Sequence, residues 1–339
     1  MKRRGFTVLV GALLVVALFR LLTIAPVPYA EYVPGPSFDT MGKDPTGKDV
    51  IQVTGAPVTQ SKGQLRFLTV GVQPNLTMVE AIVGWFSGDD AVIPIELVIP
   101  PGETQEQVNK ENASDFANSQ SAASTAADIA LGYPLKVTVD EVVKGSPAEG
   151  KLQHGDLVTA VDGQPIDSAE RLISIVRSKP VGTTLSFAVT RGGQSLTIPV
   201  TSAADNDGNP RVGISSNATP TAPFTFKVPI ENVGGPSAGL MLTLGMIDKI
   251  KPEDLTGGKI IAGTGTMDAL GNVGPIGGIA QKIIAAKDAG AQFFLTPQSN
   301  CAEAKGADGA GLPLIKVATL QQGLDALADI RAGRTPPLC

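Results

Sequence analysis

The segment GFTVLVGALLVVALFRLLTIA, residues Gly5 to Ala25, carries one charge, Arg20, and directly follows Lys2, Arg3 and Arg4. No other stretch narrows the outcome as much, because a helix rising about 1.5 Å per residue reaches roughly the 30 Å of a bilayer core over that length. Arg20 lies near the far end, where its long stem can lift the guanidinium to the headgroups. The basic trio favours leaving residues 1–4 in the cytoplasm. The sequence therefore reads as single-pass: residues 5–25 anchor the chain in the cell membrane, and everything after about Pro26 lies outside the cytoplasm. A cleaved signal peptide is the competing reading. No A-x-A site follows the apolar run, however, and Pro26 and Pro28 crowd the position where cleavage would fall.

An extracytoplasmic location is oxidising, which draws attention to the only two cysteines, Cys301 and Cys339. Paired, they close a loop across a separation of 38 residues. Pairing and free thiols both stand open on the sequence alone. The remaining inventory excludes more than it offers. One histidine and two cysteines are too few for a typical zinc site, and no metal is expected. A Ser-His-Asp or Cys-His arrangement would have to use His154, which precedes Gly155 and Asp156 in a turn and reads as a solvated loop residue. No GxxxxGK[ST] or GxGxxG run occurs, so neither ATP nor NAD is expected, and no other cofactor is implied. A net charge of -5 without a long Lys/Arg run argues against a nucleic-acid partner.

With 42% apolar and 17% charged residues, the 339-residue chain has the material for two or three globular domains. Residues 32–101 alternate short β-like runs (IQVTG, LRFLTVGV, AVIPIELVI) with Gly/Pro turns and read as a small β-rich segment in which Trp85 packs. Residues 103–131 are polar with alanine at helical intervals and read as a solvated helix joining two units. Residues 132–202 run strand, turn, strand, helix and hairpin. A Pro/Asn/Gly-rich tract over 203–222 reads as a linker, overlapping the start of a last unit at 211–335. The fold class expected is α+β and multidomain.

Within residues 132–202, GSPAEGKLQHGDLVTAVDGQPI, Gly145 to Ile166, resembles the centre of a bacterial PDZ domain. The resemblance implies a β-sandwich or barrel with helices that binds peptides by adding them to a sheet edge and holding the end carboxylate on backbone N–H groups. It maps that cradle to the loop entering the first strand, Leu131, Gly132 and Tyr133.

The last unit contains GGPSAGLMLTLGMID, Gly234 to Asp248. Gly234 and Gly235 permit backbone angles closed to other residues, Pro236 fixes one angle, and Ala238 and Gly239 leave room above the Ser237 hydroxyl. If a helix starts there, its unpaired first amides, those of Ser237 and Ala238, point to where an oxyanion would need donors. The plainer alternative is that Ser237 only caps a buried helix. A nucleophilic serine without a usable histidine needs another base, and a lysine robbed of its charge by burial can serve. In GPIGGIAQKIIAAKDAG a helix from about Ile279 to Ala289 turns Lys282 toward Ala286 and Ala289, while Lys287 points to the polar side. A Lys282 stem lying on the core with its head in water fits the same periodicity.

The series GGPSAG, TGTMDALGNVGPIGGIAQK, AAKDAG and LTP, in that order, resembles the α/β proteolytic domain of Lon-type serine proteases. The 45 positions between Ser237 and Lys282 are close to that family's spacing. The resemblance implies that Ser237 is the nucleophile, Lys282 the general base and Thr264 a neighbour whose hydroxyl orients the amine. Many members carry Asp-Gly-Pro-Ser and Thr-Gly-Glu where this chain has Gly234 to Ser237 and Thr264 to Thr266. The order of anchor, PDZ-like unit and Lon-like unit is similar to membrane-bound bacterial proteins of the YlbL type. No ATPase module precedes the last unit. The function implied is an ATP-independent, membrane-anchored serine endopeptidase acting on extracytoplasmic polypeptides, with a homo-oligomeric ring compatible with the resemblance. The reading from another class is a catalytically inactive, membrane-tethered peptide-binding scaffold.

Overall fold

The computed structural model describes residues 2–231, 233–307 and 311–339. Along the chain, α1 (Lys2–Ile24) is followed by β1 (Tyr29–Asp39), β2 (Gln64–Gln73), α2 (Met78–Phe86), β3 (Ala91–Pro94) and the long α3 (Gln105–Ala130). A second group comprises β4 (Lys136–Val142), β5 (Leu157–Val161), α4 (Ala169–Arg177), β6 (Thr184–Arg191), β7 (Gln194–Thr201) and β8 (Ile214–Thr219). The chain then forms α5 (Gly239–Ile250), β9 (Ile260–Gly263), α6 (Ile279–Asp288), β10 (Phe293–Pro297), α7 (Cys301–Ala307), β11 (Leu314–Val317) and α8 (Leu320–Arg331). Helix α1 is long and apolar enough to cross a membrane: Phe6–Ile24 has a mean hydropathy of 2.5 and none of it is buried.

One sheet runs in the order β11-β10-β9-β2-β1-β3. Strands β2, β9, β10 and β11 are parallel, and β1 is antiparallel to both neighbours. Successive residues of a strand face opposite sides of a sheet, and here both sides are covered. Leu65, Phe67, Ile261, Leu295 and Ile315 enter a core shared with α3, α5 and α8. Their neighbours Leu68, Ala262, Phe294 and Leu314 enter a second core with α6 and α7. Helix α5 lies wholly inside, buried from Gly239 through Lys249, as a helix apolar nearly all round must be.

This sheet revises the expected division of the chain. Residues 32–101 do not form a unit of their own, because β1, β2 and β3 complete the sheet that begins again at β9. The decisive pairing, Ile260 with Gln64 and Gly263 with Phe67, is parallel and joins segments far apart in sequence. A local pattern of apolar alternation holds no record of such a partner. Trp85 meets the Tyr29 ring edge-on at 5.4 Å but stays half exposed, so it is not a core residue. Helix α3 is likewise more than a solvated connector: Thr104 and Gln107 make a capping box at its start, and Phe116, Ala123 and Ala127 bury its inner face in the core of α5.

The second sheet, in the order β8-β4-β5-β6-β7, is antiparallel and closes over α4, whose Leu172, Ile175 and Val176 fill its core. Asp156 is fully buried there. The Arg191 guanidinium holds it with two bonds of 2.7 Å, which keeps the carboxyl below its ordinary range. His154 is exposed, and its Nδ1 faces the Asp140 carbonyl, in keeping with a loop residue. The tract expected as a linker over 203–222 is partly structured, because Ile214–Thr219 pairs with β4 from Val142 to Lys136 and becomes the edge strand.

Candidate active site

The chain before α5 makes a sharp turn that ends at the site. Gly235 has φ +79, a backbone region that disfavours any side chain, and its N–H donates 2.8 Å to the Asn112 carbonyl of α3. Ser119, one turn pair further along α3, donates its hydroxyl 3.0 Å to the carbonyl of Pro236. Helix α5 begins at Gly239 with Ala238 as its cap residue, so Ser237 lies before the helix and its hydroxyl does not cap it. Gly239 serves packing more than access: a Cβ there would stand 2.8 Å from the Met267 backbone and 3.0 Å from the Ser119 hydroxyl.

The Ser237 carbonyl is held from the other side. It accepts from the Gly265 N–H at 2.9 Å and from the Thr264 hydroxyl at 3.0 Å, while the Leu240 N–H donates 3.0 Å to the Gly265 carbonyl. The end of β9 and the start of α5 are thereby interlocked. With Leu240 spent on Gly265 and the Gly239 N–H turned to Pro236 at 3.4 Å, the amides flanking the hydroxyl are those of Ser237 and Ala238.

Lys282 comes from α6. Gly278, in the left-handed region at φ +66, starts that helix and points Lys282 inward. The amine donates 2.7 Å to the Ser237 hydroxyl and 3.1 Å to the Thr264 hydroxyl. Only 3% of Lys282 is exposed, and burial pulls its pKa down from 10.5 to about 8. Burial is the sole cause of that shift, since Gly234 and Thr266 supply no carboxylate to hold the charge. A hydroxyl, an amine poised to lose its proton and two flanking amides are the parts that acyl transfer requires.

Two family descriptions fit separate parts of the chain. Residues 226–316 match the Lon protease (S16) C-terminal proteolytic domain, and residues 107–201 match the PDZ domain. The chain carries a PDZ domain and a Lon proteolytic domain. Lon protease 2 of Bacillus subtilis is 39% identical over 107 residues, which is 31% of this chain and 18% of that protein. A Ralstonia nicotianae protein provisionally named a zinc metalloprotease is 39% identical over 88 residues, 24% of this chain. The chain covers 18% of the length of each of these curated relatives. Among solved structures, the PDZ domain of an SdrC-like protein from Listeria innocua is 34% identical and covers 24% of this chain and 93% of its own, with a TM-score of 0.24.

The sheet that carries the site extends beyond residues 226–316, since it takes in β1, β2 and β3, and the serine loop is bonded to α3, most of which lies within the residues matched to the PDZ domain. Asn112 and Ser119 are the residues that the sequence did not reveal. They lie on the face of α3 that turns toward the core, and only the alanine spacing of that helix hinted at such a face. In the PDZ domain, the cradle expected at Leu131, Gly132 and Tyr133 does not form. All three N–H groups are spent on the end of α3, bonding the carbonyls of Ala127, Ile129 and Asp128 at 2.9, 3.0 and 2.8 Å. Gly132 is there to close a helix, which is the other common use of a glycine in the left-handed region. Both edges of the PDZ sheet, β7 and β8, lack a further strand partner among the described residues, and β8 is the one beside α4. Cys301 and Cys339 are joined as a disulfide, tying the start of α7 to the last residue.

Proposed function

We propose that the chain is a membrane-anchored serine endopeptidase in which Ser237 attacks a peptide carbonyl and Lys282 takes and returns the proton. Thr264 holds the amine in line, and the N–H groups of Ser237 and Ala238 receive the oxyanion. The observation that carries this reading is the buried lysine amine 2.7 Å from the serine hydroxyl with no acidic partner among the described residues. A lysine placed merely for packing would lie along the core and carry its charge out to water. Here the charged head itself is inside, an arrangement whose cost is understandable if the neutral amine is the working form.

The substrates on this reading are polypeptides on the extracytoplasmic side, reached by a domain that α1 tethers. The PDZ domain contributes by strand addition, and the unpaired edge of β8 is the place for it. Between β8 and the Ser237 loop the chain passes through Thr225–Lys227, which pairs with Gln52–Thr54. No nucleotide is needed for cleavage.

The test uses the purified full chain in detergent with unfolded or tail-bearing polypeptides. Cleavage is expected, and Ser237→Ala and Lys282→Ala are each expected to abolish it. Retention of cleavage in either variant overturns the assignment, and inactivity of the parent chain on every polypeptide leaves the tethered peptide-binding scaffold as the better description.

A further inference from the structure

Helix α2 is built the wrong way round for a helix on a water-soluble surface. Its inner face consists of Ala81, which is buried, and Gly84, where a Cβ would run into Glu31 and Val92. Its outer face, at helical spacing, consists of Val79, Ile82, Val83 and Phe86. Val83 is 64% exposed and Phe86 88%. Leu97, in the short turn after β3, is 70% exposed. Apolar residues at this density, facing out on a helix whose small residues face in, point to a nonaqueous neighbour.

The location says which one. Helix α1 ends at Ile24, and the next residues grip α2 at its start: the Val27 N–H donates 2.7 Å to the Leu76 carbonyl, and Pro26 bridges to Thr77, the cap residue of α2. The turn carrying Leu97 is fixed in the same place, since the Ile95 N–H donates 3.1 Å to the Pro28 carbonyl. Both apolar elements therefore flank the point where α1 leaves its apolar run. The chain's only tryptophan, Trp85, and two of its three tyrosines, Tyr29 and Tyr32, gather at that level, and Trp85 packs edge-on against Tyr29. Tryptophan and tyrosine concentrate where a bilayer meets water, because one end of each ring is apolar and the other polar. Charge attraction has no part in it: no lysine or arginine occurs between Arg66 and Lys110.

We infer that α2 and the Ile95–Leu97 turn form a second lipid contact, lying in the interfacial layer of the leaflet from which α1 emerges, with Val83, Phe86 and Leu97 immersed and Trp85 at the headgroup level. This inference rests on the reading of α1 as a retained anchor. A nine-residue helix offers too little area to hold a protein on a bilayer by itself, but tethering by α1 keeps it at high local concentration at the surface. The consequence reaches the catalytic side of the molecule. The backbone carbonyl of Asp89, three residues past Phe86, accepts 3.5 Å from the side-chain amide of Gln281, the neighbour of Lys282. Immersion of α2 therefore holds the α6 helix, and with it the serine and lysine, close to the lipid surface.

Trp85 is a built-in reporter for the test. The full chain is reconstituted into phosphatidylcholine vesicles with bromines on the acyl chains either near the headgroups or near the chain ends, and flotation and tryptophan emission are measured together. Expected is flotation with emission shifted to the blue and quenched about twofold by the shallow bromines, less by the deep ones, and unchanged by added salt. Val83→Ser combined with Phe86→Ser, both on the exposed face and outside the core, is expected to remove most of the quenching while flotation persists. Flotation without quenching overturns the interfacial contact and leaves the anchor in place. Blue-shifted emission without quenching also overturns it, because the face is then covered by a second copy of the chain. Failure to float overturns the anchor and this inference with it, and quenching that survives the double substitution overturns the assigned face.

Discussion

The hydroxyl of Ser119 donates 3.0 Å to the carbonyl of Pro236, so a residue in the middle of α3 steadies the peptide immediately before Ser237. Ser119 is buried and its hydroxyl bonds the Pro236 carbonyl rather than the serine hydroxyl or the lysine amine, which makes it a positioning residue on the proposed mechanism. Ser119→Ala is expected to reduce kcat by about tenfold with KM little changed, because the nucleophile loses its alignment while the binding surface stays intact. The stability loss expected from one such bond is about 1 kcal/mol. Steady-state kinetics of the variant decide it: an unchanged kcat means that the turn is rigid without α3.

Thr264 offers a sharper test because its hydroxyl does two things, donating to the Ser237 carbonyl and accepting from Lys282. Thr264→Val keeps the volume and loses both bonds, whereas Thr264→Ser keeps both. The valine variant is expected to lose about 10- to 100-fold in kcat, the range for one or two bonds to a charged or transferring group. The serine variant is expected to keep most of the activity. Equal behaviour of the two variants would show that only the shape of the side chain matters.

The serine and the lysine were legible because each is announced by its own neighbours: a Gly-Gly-Pro turn on one side, and on the other a helix whose small and apolar residues surround one lysine. What surrounds them was not legible, for a common physical reason. The bond from Ser119 spans 117 positions, and the pairing of β2 with β9, Gln64 with Ile260, is more remote still. Such partners are set by the packing of whole layers, which no local period encodes. The edge strand β8 was lost differently. Of its six residues only Ile214 and Ala218 are apolar, so the segment reads as a polar tract until β4 supplies its hydrogen bonds. Leu131 to Tyr133 show the reverse error, since one glycine signal serves a helix end as well as an anion cradle.

The disulfide between Cys301 and Cys339 encloses β11 and α8, and the last residues run beside β11, with the Cys339 N–H donating 2.8 Å to the Leu314 carbonyl. Replacing both cysteines by serine removes a constraint on the unfolded chain worth about 4 kcal/mol for a loop of 38 residues. The expected result is a lower unfolding temperature of the Lon domain with the PDZ domain unaffected. Calorimetry resolving the two transitions checks it, and an unchanged first transition would mean that the tail adds nothing.

Asp128 lies at the C-terminal end of α3 with one carboxyl oxygen buried and without a hydrogen-bond partner among the described residues. Burial pushes its pKa from 3.8 up to about 6, and the negative end of the helix acts in the same direction. Between those two values the folded state holds more protons than the unfolded state, so stability falls as pH rises through the window, and the penalty is complete above about 6. Asp128→Asn removes the charge and is expected to stabilise the protein by on the order of 2 kcal/mol at neutral pH. The gain should shrink to nothing as pH falls toward 4. Denaturation at both ends of the range tests this, and a pH-independent difference would assign the effect to something other than ionisation.

Lys282 should show activity and stability pulling in opposite directions. Its folded pKa of about 8 lies below the 10.5 of a solvated lysine, so between these values the unfolded chain binds the extra proton. Stability therefore rises with pH through that window, and below about 8 the folded state carries the full cost of a buried charge. Lys282→Met removes the charge at nearly constant length. It is expected to be inactive and yet more stable at pH 7 by on the order of 2 kcal/mol, after the two lost hydrogen bonds are set against the relieved desolvation. The advantage should vanish only as pH climbs past 10.5, where the native amine is neutral in both states. In the parent enzyme kcat/KM should climb with pH and level off above about 8, since only the neutral amine can accept the serine proton. At neutral pH about a tenth of the molecules carry that form, given a pKa of about 8. A methionine variant that is less stable at every pH, or a rate profile flat across the alkaline range, would mean that the amine is not held against its own charge, and the proton transfer assigned to it would have to be sought elsewhere.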